Sequence, residues 1–367
     1  MYISEIDGRE AMNRVVKRED LVDGMVLYSD VITSYGTLLI NRGTMIDPRI
    51  RELLSYNDID SVKVVEFEDW EKENTNLDTH LEKLRSSRKF QEVSKEYGIV
   101  YENVYTHFND VLNRESQVDK EKVVHDINSI LNKTDGSKEL LDCLNGLKLK
   151  QDYVYMHSLN TALITNILAR WLKMSQEDIE DITIAALFHD IGMMGVPSDI
   201  LEKPEEERTA ADKEMIERHT ILGYRYLMKR ELNRQIGLTA LTHHERMDGT
   251  GYPLQCMGGA LCTYSKIVAI ADAYDELTLT EDGGRNPFEL IRIFEQEGLS
   301  KYDPQFIMVF LAGITDTYIG CDILLSNGEV GTIIYINRDN LSRPMVKVGE
   351  KYINLAQDSS LKIIQFV

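Results

Sequence analysis

In LTHHERMDGTGYP, residues 241–253, two imidazoles stand side by side, His243 and His244, just ahead of a loop broken by Gly249, Gly251 and Pro253. On a helix, neighbours point about 100° apart, so one apolar face does not explain both. An isolated pair of this kind reads as two surface histidines. This pair has company: of the chain's eight histidines, His157, His189, His219, His243 and His244 fall in one helical block, with Asp190 directly after His189 and Asp272 further on. In a stretch as apolar as IAALFHDIG, an imidazole and a carboxylate are each unfavourable unless paired or bound to a metal. Taken alone, His189–Asp190 reads equally as a satisfied core pair or a ligand pair.

As a set, the five histidines and two aspartates recur at intervals of roughly one helical hairpin, and antiparallel helices can aim one or two residues each at a shared interior point. One four-coordinate metal would not use so many ligands. Two octahedral metals about 3.5–4 Å apart, bridged by an aspartate and a water, would, and adjacent histidines could then serve different ions. Mixed imidazole–carboxylate ligation suits iron, manganese or zinc rather than calcium.

The elements that must position these groups are helical. Segments between residues 121 and 315, including HSLNTALITNILARWL, EDIEDITIAALFHDIG, DKEMIERHTILGYRYL, SKIVAIADAYDELTL and NPFELIRIFEQ, place apolar residues at i, i+3, i+4. Asn286-Pro287 marks a cap followed by a first-turn proline. Residues 1–66 read as a small β-rich α+β module, with one short helix capped by Asp47 and begun by Pro48. Residues 67–120 are densely charged and read as exposed helices forming a linker, in which His80 and His107, like His125 after it, carry no chemistry. From about 316 to 367 the period switches to two, with an Asn327-Gly328 hairpin signal. The fold class is therefore mainly α, with a small N-terminal α+β module and a short C-terminal β segment.

At 367 residues the chain is long enough for two or three domains, and its net charge of −20 argues against a DNA or RNA polymer as partner. It contains no apolar run long enough for a membrane span, and its N-terminus does not read as a signal peptide, so a cytoplasmic protein is expected. Cys143, Cys256, Cys262 and Cys321 lack metal-type spacing and are expected as reduced thiols.

The strings DYVYMHS (152–158), AALFHDIG (185–192), HHERMDGTGYP (243–253) and IADAYDELT (270–278) resemble, in order and spacing, those of the HD-GYP family of HD-domain phosphohydrolases. The resemblance covers about residues 150–315 and implies an all-α bundle around a metal centre, iron first among the candidates, that hydrolyses cyclic di-GMP to pGpG or GMP through a metal-bridging hydroxide. It implies His157, His189, Asp190, His219, His243, His244 and Asp272 as ligands, with Asp190 bridging both ions and positioning the nucleophile. Family members with a third metal carry a glutamate where this chain has Tyr153, so two divalent ions are expected. Gly251, Tyr252 and Pro253 would shape the mouth of the site, and Lys266 would offer an anion contact. Regulatory hydrolases of this type are often dimers, which makes a homodimer the expected assembly.

Two departures bear on activity. The family's HDIGK lysine is Met193 here, and a basic segment is replaced by DELTLTEDGGRNPF, where Glu281 and Asp282 are negative and Arg285 alone is positive. Losing a phosphate-directed cation removes about 1.5–3 kcal/mol of charge-assisted binding. The alternatives to an active cyclic di-GMP phosphodiesterase are thus a non-catalytic cyclic-dinucleotide receptor or interaction module, and a phosphohydrolase of another nucleotide.

Overall fold

The computed structural model divides the chain into two units, Met1–Leu77 and Asp78–Val367, each described by itself. In the first it describes residues 13–21, 29–33, 38–40, 48–57 and 59–65, with Leu27, Thr44 and Ile46; in the second, residues 80–113, 117–147, 153–278 and 286–367.

In the smaller unit, β1 (Asn13–Lys17) pairs antiparallel with β4 (Ser61–Val65), and β2 (Val31–Ile32) with β3 (Leu38–Ile40). The helix α1 (Pro48–Tyr56) begins at the proline the sequence marks; Asp47, its expected cap, lies outside the described residues. Val16 and Val62 face each other across the β1–β4 ladder, and both join a core with Leu21, Leu27, Ile40, Ile46, Leu54 and Val64. Strand β1 precedes the runs that composition singles out, because NRVVK has too few apolar residues to show a period.

The larger unit runs α2 (His80–Ser86), α3 (Arg88–Asn113), α4 (Lys120–Leu131), α5 (Ser137–Gly146), α6 (Tyr153–Trp171), α7 (Gln176–Leu187), α8 (Ala210–Glu217), α9 (His219–Leu227), α10 (Arg234–Thr242), α11 (Thr263–Thr278), α12 (Pro287–Ile293) and α13 (Pro304–Thr317), followed by a sheet. Starts are set by side chains: Ser175 accepts the Asp178 N–H, Thr209 and Asp212 form a capping box, and Asn286 caps α12 ahead of Pro287. The expected single helix through DKEMIERHTILGYRYL breaks at Arg218, so His219 opens α9.

The reading of the charged stretch as an exposed linker is corrected for α3. Val93, Tyr97, Val100, Val104, Phe108 and Val111 form a buried stripe at helical spacing and join the core of the helical block, while the charges occupy the outward positions. Fully burying such side chains contributes about 1.5–3 kcal/mol each, which fixes α3 as part of the unit. His107 is also buried, its Nε2 2.9 Å from Asp126 Oδ2 on α4.

At the centre, α6 packs on α7 and α11, and α10 packs on α7, α9 and α11. After α13, β5 (Asp322–Leu325), β6 (Val330–Tyr335), β7 (Met345–Val348), β8 (Lys351–Asn354) and β9 (Ile363–Phe366) form an antiparallel sheet ordered β8-β7-β6-β5-β9. Gly328, with φ +84°, turns the hairpin between β5 and β6, as Asn327-Gly328 signals. Ile323, Leu325, Ile333 and Val346 share the helical core.

Candidate metal centre

The seven sequence-derived candidate ligands are brought together from three helices and from the turns that end two others. His157 lies on α6, His219 starts α9 and Asp272 is mid-helix on α11. His189 and Asp190 are not in α7, which stops at Leu187; they occupy the turn between it and a 3-10 segment, Ile191–Gly195. His243 is the C-cap of α10 and His244 follows it. Leaving the helix at these two points is what lets consecutive residues face one cavity.

The ligand atoms fall into two groups, Asp190 with His219, His243 and His244, and His157 with His189 and Asp272, each within 4.8 Å of one another. Asp190 straddles them: its Oδ1 is 3.1 Å from His219 Nε2 and 3.3 Å from His243 Nε2, and its Oδ2 is 3.7 Å from His189 Nε2. Asp272 does the same, with Oδ1 3.0 Å from His157 Nε2 and Oδ2 3.8 Å from His244 Nδ1.

The outward nitrogens decide what the inward ones offer. His189 Nδ1 lies 2.6 Å from the Ala186 carbonyl, His219 Nδ1 2.6 Å from that of Ile216, and His243 Nδ1 3.1 Å from those of Thr239 and Ala240. A carbonyl only accepts, so each Nδ1 carries the proton and, in the neutral ring, each Nε2 presents a lone pair to the cavity. His157 is held similarly by Asp275, Oδ2 to Nδ1 at 2.7 Å. These are the orienting contacts that metal-bound imidazoles require.

His189, His243, Asp190 and Asp272 are all buried, and among the described residues His189 Nε2, Asp190 Oδ1 and Asp272 Oδ2 have no hydrogen-bond partner. Burial opposes charge on Asp190, yet His189 and His219 hold its carboxyl well below the usual range; on Asp272, burial is likewise overcome by His157 and His189. Burial, then the neighbouring His243, pushes His244 well below an ordinary histidine. Against burial, Asp190 and Asp272 in turn raise the pKa of His189, and Asp190 that of His219. Once deprotonated, imidazoles and ionised carboxylates aimed at one point are a donor set that fits divalent cations.

The loop after His244 is built against the site. Gly251 is needed because a Cβ there would land on the His244 carbonyl oxygen, so the close approach it permits is to the protein's own backbone. Tyr252 stacks on the His244 ring at 4.7 Å, and Pro253 is half-buried beside it. Lys266, expected at the substrate, instead pairs with Asp303 at 3.1 Å. Met193 packs half-buried against the core, and Tyr153 belongs to α6. Glu281, Asp282 and Arg285 lie outside the described residues.

Sequence reasoning missed Asp275, Asn160 and Glu245. The first two sit three residues after the candidate ligands Asp272 and His157, a spacing that shares a helix face and signals support. Glu245 is buried, and its carboxylate accepts the N–H groups of Leu254 (2.5 Å), Gln255 (3.0 Å) and Cys256 (3.1 Å), pinning the loop to the end of α10.

Residues 144–306 match the HD domain family model. The chain is 32% identical over 205 residues to a cyclic di-GMP phosphodiesterase of Pseudomonas aeruginosa, covering 55% of this chain and 49% of that one. It is 34% identical over 192 residues to a cyclic di-GMP phosphodiesterase of Thermotoga maritima, covering 49% and 51%. It is also 34% identical over 129 residues to a 3'3'-cGAMP-specific phosphodiesterase of Vibrio cholerae, covering 35% and 28%. The chain thus spans about half the length, or less, of these relatives. Among solved structures, an HDG"Y"P protein from Bdellovibrio bacteriovorus superposes with a TM-score of 0.51 at 16% identity, over 83% of this chain and 99% of that one, a likeness of fold.

Proposed function

We propose that residues 144–306, which match the HD domain model, form a domain of the HD-GYP type, and that the protein is a metal-dependent phosphodiesterase that hydrolyses cyclic di-GMP to pGpG or GMP. The observation that carries this reading is the straddling of two ligand groups by Asp190 and Asp272, each with one oxygen toward either group. His157, His189 and Asp272 would hold one cation, and His219, His243 and His244 the other, with Asp190 shared. Iron fits first, manganese or zinc next. Bound there, a pair of divalent cations supplies positive charge that acidifies water and stabilises phosphoryl oxygens.

The chain's own residues do the rest. The Nδ1 anchors keep four rings in register, and Asp190 orients water for in-line attack on phosphorus, breaking the P–O bond to the ribose. Tyr252 covers His244, and burial, then the charges of Asp190 and Asp272, pushes its hydroxyl far above the usual range, so it stays protonated.

A second reading, a cyclic-dinucleotide receptor, is favoured by Met193 packing against the core and Lys266 being held by Asp303, which leaves two expected phosphate contacts without a cation. Anaerobically purified, metal-loaded protein assayed with cyclic di-GMP, 3'3'-cGAMP and a generic phosphodiester separates the readings. Turnover of cyclic di-GMP that Asp190→Ala abolishes supports the enzyme; binding without turnover supports the receptor. Preference for the second dinucleotide would make the chain a phosphohydrolase of another nucleotide.

A further inference from the structure

We propose that Tyr97, on α3 and outside the 144–306 match, is a positioning residue for the His157 side of the metal centre, acting through Asn160 and Asp275. This rests on the metal-centre reading above. Tyr97 is 1% exposed, and its hydroxyl donates to Asn160 Oδ1 at 2.7 Å. Asn160 Nδ2 donates to Asp275 Oδ1 at 2.9 Å, and Asp275 Oδ2 meets His157 Nδ1 at 2.7 Å. Every member of this chain is buried.

The polarity of the chain is fixed by chemistry. An ionised carboxylate only accepts, so Asn160 must turn its NH₂ toward Asp275, which leaves its oxygen facing Tyr97. The hydroxyl is the donor that holds this amide orientation; without it, Asn160 Oδ1 is left buried with the distant end of the chain undefined. Asp275 then loses one of the two contacts that fix its plane, and the His157 ring loses the partner that aims Nε2 at the cavity. Helix α3 therefore completes the centre from outside the family segment, which gives a buried polar group in an otherwise apolar stripe its purpose.

The test uses the full chain with Co(II) as probe. Affinity is measured by competition with a chromogenic chelator, and ligand geometry by the visible absorption of bound Co(II). Tyr97→Phe keeps the ring and removes the hydroxyl; we expect about 3- to 10-fold weaker Co(II) binding, at or below the range for orienting partners of ligands, with a shifted absorption band. Tyr264→Phe is the control, because it deletes another buried ring's hydroxyl, one that donates to Asp178 at 2.8 Å, and should leave affinity and spectrum unchanged. Wild-type affinity and spectrum in Tyr97→Phe would overturn the proposal, whatever its melting temperature. If that variant does not fold, Asn160→Asp replaces the donor facing Asp275 with an acceptor, and wild-type Co(II) binding by it would overturn the proposal equally. Failure of the wild-type chain to bind Co(II) is a different result: it refutes the metal centre itself and the positioning role with it.

Discussion

The ring of Tyr252 lies stacked on the imidazole of His244, 4.7 Å between centroids and 28° between planes. His244 is the most exposed of the seven candidate ligands, its side chain 14% accessible, and Tyr252 covers one face of its ring. Stacking of this kind contributes about 0.5–1.5 kcal/mol beyond burial. We expect Tyr252→Phe to retain metal affinity, and Tyr252→Ala to weaken it by about 2- to 10-fold, through faster metal release, as that range implies. Stopped-flow release into a chelator measures this; equal rates in both variants would show that the ring does not guard the ligand.

Gly192 follows the His189–Asp190 turn, and a Cβ there would land on the His219 carbonyl oxygen. Backbone cannot yield as a flexible side chain can, so Gly192→Ala should push α9 away from the turn. The expected outcome is a loss of about 1–3 kcal/mol in stability, as for other overpacked sites, together with loss of metal binding. Thermal unfolding and metal analysis check this, and a variant with wild-type metal content would refute the close approach.

Glu245 receives three successive backbone N–H groups, and between them Gln255 adopts φ +52°, a left-handed conformation that few side chains favour. Glu245→Ala should free the loop and cost about 2–3 kcal/mol, because charge-assisted bonds are lost and their donors left behind. Glu245→Gln, which keeps the shape, should lose less. Hydrogen exchange of residues 254–256 reads the effect directly: faster exchange in the alanine variant is expected, and unchanged protection would contradict the role.

Asp178 sets a pH dependence away from the centre. Its carboxylate accepts the Ser175 and Tyr264 hydroxyls at 2.6 and 2.8 Å, which lowers its pKa, the Ser175 contact first. A lowered folded pKa stabilises the native state above the unfolded value of about 3.9, and that stabilisation fades as pH falls through the folded value. The stability difference between wild type and Asp178→Asn should therefore be constant well above the unfolded value and fade across the acid range below it, as pH falls through the lowered folded value. Urea titrations across that range test it; a difference that persists at the acid end would contradict the assignment.

How much of this was legible in the sequence depends on what each signal measures. The convergence of the seven candidate ligands was legible because buried imidazoles and carboxylates have few other reasons to recur on apolar helices. Pro48, Asn286-Pro287 and Asn327-Gly328 marked the starts of α1 and α12 and the β5–β6 turn through backbone chemistry alone. Helix α3 was misread because its charge density hid the stripe from Val93 to Val111, which is as regular as any in the bundle. The ion pair of Lys266 was not legible because its partner, Asp303, is 37 residues away and nothing local announces it. The supports Asp275, Asn160 and Glu245 were missed because a second row of contacts has no motif of its own beyond spacing from the first.

Shared between two ligand groups, Asp190 and Asp272 would join them into a two-cation centre. Its most direct test is metal content per chain in wild type, His157→Ala and His219→Ala, measured on the same preparations used for cyclic di-GMP hydrolysis. Two equivalents in wild type, about one in each variant, and hydrolysis in wild type alone are expected from shared ligation of paired metals. A wild-type chain that binds fewer than two cations, or variants that keep both, would contradict it.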